Sequence, residues 1–263
     1  KQPAMTAARF AEAVEKTPQG KTVNMKLAQL LVDVFRSQSI AVLGNVLIAM
    51  GLAALIAFGY QYKTGEPLMN ADQIAYQLHS IDPFAGTLWF AAIAGVWLFC
   101  SGIISGYFDN RSNYLNMRMR LTQHPLLKKL MSEKSRVKFA NYMHENYGSL
   151  IGNLCFGMLL GITGVVGYLT HLPLDIRHVA FSSANVGYIA VSGQFTYSLL
   201  LQCIGFVLLI GLVNLVVSFS LTLWVAMRSL NAEIESWWPI WYEVCQIVKK
   251  RPLSLFLPVQ LDK

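Results

Sequence analysis

Apolar residues are gathered into four long runs rather than spread along the chain. Ser39 to Tyr60 contains no Asp, Glu, Lys or Arg, and neither do Pro83 to Phe108, Tyr147 to Thr170 and Val191 to Met227. A helix needs about 20 apolar residues to cross the hydrocarbon core of a bilayer, and each run is long enough. The fourth exceeds one perpendicular span, so it is expected to tilt or to continue past the bilayer. Buried helices of soluble bundles keep a polar side, whereas these runs are apolar around most of the circumference. Within hydrocarbon, an open segment satisfies its backbone only as a helix. The pattern therefore predicts an all-α fold, an integral membrane four-helix bundle with spans near 39–60, 84–107, 148–169 and 197–220.

The flanking segments are patterned differently. Over 22–38, Leu27, Leu30, Leu31, Val34 and Phe35 share one face, with Lys26, Gln29, Asp33 and Arg36 elsewhere, which predicts an interfacial amphipathic helix. The connection 109–146 is also expected to be helical, with Pro125 at a helix start and Leu126, Leu127, Leu130 and Met131 as a short apolar stripe. In the tail, Trp237, Trp238, Trp241 and Tyr242 surround Pro239 near Lys249, Lys250 and Arg251. Aromatic and basic residues together mark a headgroup-level belt, a partner-binding aromatic site being the alternative. The expected organisation is a cytoplasmic amphipathic segment (1–38), a four-span domain (39–227) and a cytoplasmic interfacial tail (228–263). A start at Lys1 rather than Met is what a fragment or processed product would have. No signal peptide is visible, the first apolar run being too long for one.

Composition sharpens this picture. Of 263 residues 54% are hydrophobic and 13% charged, against about 25% charged in ordinary globular domains. That excludes a soluble fold with a charged surface, and four cysteines exclude a disulfide scaffold. The net charge of +7 would suggest nucleic acid if read alone. Its distribution says otherwise. Segments 1–38, 109–146 and 228–263 hold nineteen Lys and Arg, while 61–82 and 171–190 hold only Lys63 and Arg177. The positive-inside rule then places both termini and the middle connection in the cytoplasm. Basic side chains there face anionic headgroups, so the lipid bilayer is the first expected partner.

Candidate chemistry is sparse. Gly20-Lys21-Thr22 resembles the end of a phosphate loop, but Glu15 occupies the place of its first glycine. His124, His144, His171 and His178 form no metal-binding spacing, and no cofactor is expected. Cys100, Cys155 and Cys203 lie in spans and read as packing residues. Gly102-x-x-x-Gly106 and Gly157-x-x-x-Gly161 would let helices approach closely. Asn45, Asn153, Gln202 and Asn214 are intramembrane amides, expected mainly as contacts between helices. No ionisable residue lies deep in a span, which argues against an ion-coupled pump.

Two polar constellations remain. Gly106-Tyr107-Phe108-Asp109-Asn110 closes the second span on the basic side. Leu172-Pro173-Leu174-Asp175-Ile176-Arg177-His178, followed by Phe181-Ser182-Ser183-Ala184-Asn185, opens the third connection as an expected surface turn that Pro173 starts and in which Asp175 and Arg177 are spaced to pair locally. Together with YGSLIGNLCFG at 147–157, these runs resemble the bacterial multi-pass membrane proteins named site-specific recombinases, the Gcr-type family of Gram-negative bacteria. The resemblance covers most of the chain from the first span onward. It implies an inner-membrane protein and carries the recombinase label, and with that label DNA as a partner.

The residues give that label no catalytic set. A tyrosine recombinase requires a His-x-x-Arg pair, and none of the five histidines has arginine three residues later. A serine recombinase requires a serine beside several arginines, and Ser182 and Ser183 have only Arg177, on the side away from DNA. No catalytic residue is therefore assigned. The leading expectation is a non-enzymatic membrane domain that organises lipids, a protein partner or copies of itself. A membrane-tethered recombinase and a small-solute channel or transporter are the alternatives.

Overall fold

The computed structural model describes residues 10–14, 21–193, 196–231, 234 and 236–255. Lys1, Arg9, Glu15, Lys16, Gly20 and Lys263 lie outside them. The described residues are helical and contain no strand. In chain order the helices are α1 (Lys21–Thr64), α2 (Ala71–Ile81), α3 (Thr87–Tyr114), α4 (Met117–Gln123), α5 (Pro125–Leu130), α6 (Glu133–Thr170), α7 (Val179–Ala190), α8 (Tyr197–Ser229) and α9 (Trp238–Lys250). Four of them, α1, α3, α6 and α8, are long and apolar enough to cross a membrane.

The ends of these helices follow from local chemistry. Asn70 and Gln73 form a reciprocal capping box that starts α2. Asp82 ends α2 and accepts the Phe84 N–H at 3.0 Å. Pro83–Ala85 then makes one 3₁₀ turn, and Gly86, at φ +80°, redirects the chain into α3. Ser132 and Thr196 cap α6 and α8 through their hydroxyls. Pro125 opens α5, as its fixed φ favours.

The amphipathic segment and the first apolar run form one unbroken helix. With 44 residues, α1 is about 66 Å long, and it has no break at residue 38. The apolar face of its first half is covered by protein at Leu27, Ala28 and Val32, while Phe35 stays exposed. Leu27 and Ala28 are buried with Phe10 and Ile240, joined by Leu30, Leu31 and Val244. Phe10 also stacks on Trp237, centroids 6.0 Å apart. The tail helix α9 thus packs along α1.

In the bundle, α3 is central, with α6 on one side and α8 on the other. α3 and α6 run antiparallel, since Ser101 and Ser105 meet Gly152 and Ser112 meets His144. α3 and α8 run parallel, Ala91 meeting Asn214 and Gly95 meeting Val217. These directions agree with four successive crossings. α1 touches α8 only lightly and joins the bundle through α7. The main core draws Val46 from α1, Ile81 from α2, Ala91 from α3, Val179 and Val186 from α7, and Cys203, Val207 and Ile210 from α8. A helix of 12 residues, too short to span, therefore lies within this core between α1 and α8.

Candidate functional site

From sequence, 171–190 is expected at an outer surface; the chain instead tucks it into the bundle. After α6, the backbone turns at His171, φ +55°, and runs back along that helix. Leu174 lies against Gly167, and the His178 ring meets Phe156 edge-on at 5.1 Å. Phe156 is fourteen residues before the end of α6, a descent of about 21 Å. There α7 begins, and it ascends parallel to α1, with Gly187 against Met50 and Ala53. A Cβ on Gly187 would collide with the Met50 carbonyl, so only glycine admits this approach.

Asn214 holds the start of α7. Its Oδ1 accepts the Val179 N–H at 3.1 Å, and its Nδ2 donates to Ala91 O at 2.7 Å and Arg177 O at 3.0 Å. The first N–H groups of a helix have no partner within it, so the amide supplies one across a helix boundary. It is 2% exposed. Tyr197 to Asn214 measures about 26 Å along α8, which sets how far inside the bundle α7 starts.

Arg177 holds the end of α2. Its Nε donates to Ser80 O at 2.7 Å, where Thr87 Oγ1 also donates at 3.0 Å. The last carbonyls of a helix attract cations. Its Nη1 donates to Ile176 O at 3.2 Å and pairs with Asp175 Oδ2 at 2.7 Å, while the guanidinium sits 5.9 Å from the Phe90 ring centre. Asp175 Oδ1 accepts the Ile176 N–H. Further up α7, Asn185 donates to Gln77 Oε1 on α2 at 2.7 Å. Ser182 and Ser183 are buried, Ser183 donating to Val179 O, and Phe181 is exposed. His178 Nδ1 accepts the Ala180 N–H, so that nitrogen carries no proton.

The second constellation lies at the other end of α3. Asp109 Oδ1 accepts the Gly148 N–H at 3.0 Å. Phe108 packs edge-on against Tyr147 and Tyr107, at 5.6 and 5.3 Å. Tyr107 and Asn110 point outward, and Arg111 reaches the Tyr107 hydroxyl at 3.4 Å. Gly106 has open space where a Cβ would stand. The close contact is made by Gly148 and Gly152, each beside the Ser105 of α3.

These findings redistribute the sequence expectations. Gly157 and Gly161 face nothing within 4 Å, so that spacing makes no helix contact within the chain. Gly148-x-x-x-Gly152 has the same spacing in plain view and makes the contact instead. Of the four amides, Asn214 is buried, while Asn45, Asn153 and Gln202 are exposed. Arg177 and Asp175, expected outside the spans, form an ion pair partly inside the bundle. The four cysteines are free, and among the described residues no group of His, Cys, Asp and Glu is placed to hold a metal. Chemically, Asp109, Asp175, Arg177, His178 and Ser183 are engaged with the chain's own backbone, while Tyr107, Asn110 and Phe181 face outward.

A family model described as site-specific recombinase matches residues 1–258. No curated protein and no solved structure matches the chain.

Proposed function

The chain belongs to the site-specific recombinase family, and from that premise we propose that it is a multi-pass protein of the bacterial inner membrane with a non-enzymatic role. In this reading it organises lipid or a protein partner, and both termini lie in the cytoplasm. The segment 171–190 is then re-entrant: it descends beside α6 and returns as α7 without leaving on the far side. Irregular backbone at membrane depth is tolerated where protein surrounds it. Here Asn214 and Arg177 provide that cover.

One observation carries the proposal. The polar groups of the family-like runs are spent on the chain's own helices: Asp109 on the Gly148 N–H within α6, and Arg177 on the Ser80 carbonyl at the end of α2 and on Asp175. A transesterification site would need a free nucleophile amid several uncommitted cations. Ser182 and Ser183 are buried beneath the bundle surface, and Tyr107 has Arg111 beside it at 3.4 Å. The meeting of two short helix ends, α2 and α7, also suits a transporter, whose sites are often built from broken helices. Against that, these ends are capped by the chain itself.

The test is to express Asp109→Ala, Arg177→Ala and Asn214→Ala and to measure abundance and melting temperature in mild detergent. The proposal expects all three to lower both. Variants that keep wild-type abundance and stability but lose a cellular phenotype would support a chemical role instead.

A further inference from the structure

Below the start of α7, the bundle leaves a gap. Val179 meets Val42 and Gly211, and there α7 fills the space between α1 and α8. Toward the basic end no helix takes its place until α9 crosses, and a cavity of about 800 Å³ remains. Phe35 of α1, Leu215, Phe219 and Trp224 of α8, and Trp241 and Val248 of α9 line it. The lining is apolar apart from Gln38 and Ser220. Its volume is within the range of small-molecule sites, about 300–1,000 Å³.

We infer that this cavity holds an acyl chain of an anionic phospholipid from the leaflet that the basic face contacts. The inference rests on the membrane reading above. Two features select this occupant. First, the walls are two span-length helices and the aromatic-rich α9, so the opening lies where hydrocarbon ends and headgroups begin. Second, the exposed Arg228 directly follows the lining residue Met227 and stands one turn beyond the lining Trp224, and the exposed Lys249 directly follows Val248. α9 carries Glu243 at its middle but ends on Lys249 and Lys250. A chain seated among Phe219, Trp224 and Trp241 would present its phosphate to Arg228 and Lys249. Aromatic walls and a basic rim together suit a lipid better than a peptide helix, which would need polar partners along its length.

The experiment reconstitutes the protein in vesicles of equal parts phosphatidylglycerol and phosphatidylcholine. It is then extracted in mild detergent, and the retained lipid is measured by native mass spectrometry. Phosphatidylglycerol should be retained preferentially. Leu215→Trp and Val244→Trp, which fill the cavity, should lose it while holding or raising the melting temperature. Arg228→Gln and Lys249→Gln replace exposed side chains and test the headgroup independently of folding; each should cut the preference about fivefold. Equal retention of both lipids, retention undiminished in the filled variants, or no retained lipid overturns the inference. Release of the protein from membranes without detergent would instead overturn the membrane reading.

Discussion

The Asp109 carboxylate accepts the backbone N–H of Gly148 at 3.0 Å, so the end of GYFDN is latched to the start of YGSLIGN. The latch depends on the missing side chain, because a Cβ on Gly148 would collide with Asp109 and with the Ser105 carbonyl. Gly148→Ala should therefore separate α3 from α6 and cost about 1–3 kcal/mol, as overpacking does. Asp109→Ala should cost less, and the double variant less than the sum of both. Thermal melts of the four proteins in one detergent give the cycle; strict additivity would mean the two residues do not act together.

Asn214 and Val179 make the second latch, at 3.1 Å. Asn214→Leu strands the Val179 N–H inside the bundle and should cost about 1–3 kcal/mol. Asn214→Asp keeps the acceptor but turns a carboxylate toward Ala91 O and Arg177 O, where the wild type donates. It should be least stable at neutral pH and recover partly in acid, where the protonated carboxyl can donate. Melting temperature against pH checks this, and a flat profile would contradict it.

Arg177 reaches Ser80 O through Nε and Asp175 through Nη1. A lysine ammonium is one compact donor centre without the planar fork whose separate nitrogens reach the two acceptors. Arg177→Lys should therefore lower abundance in the membrane nearly as far as Arg177→Ala. Quantitative blotting against a co-expressed standard measures it.

Topology gives a further prediction. A cysteine at Asp72, exposed on α2, should react with an impermeant thiol reagent applied from outside, and one at Lys134 should not. Ser182 is 3% exposed, so a cysteine there should stay unlabelled from either side until the protein is denatured. Labelling at Ser182 in the folded protein would place 171–190 at the surface.

The four long helices were legible because hydrocarbon forbids charge over about 20 residues, and each run obeys that constraint locally. The position of α7 was not. Its 12 residues are too few to span, and the Asp175 and Arg177 before it read as solvent-facing. Their pairing with each other was legible from the spacing, but that Arg177 also closes the end of α2, 97 positions away, was not. The glycines show the same limit. Gly148-x-x-x-Gly152 and Gly157-x-x-x-Gly161 sit on one helix with one spacing, and the side facing α3 decides which is used. Asn214 stood out as a polar residue in an apolar run, but its partners lie 35, 37 and 123 positions away. The amphipathic face at 22–38 was legible, whereas its covering by α9, at the far end of the chain, was not.

The claim that the family-like residues brace a membrane bundle and perform no strand exchange is tested most directly by a recombination assay. Purified full-length protein is incubated with paired DNA sites, and products are resolved by electrophoresis. The account predicts no exchange product from the wild type or from Tyr107→Phe and Ser182→Ala. Exchange by the wild type, abolished by either substitution in a protein with unchanged melting temperature, would contradict it.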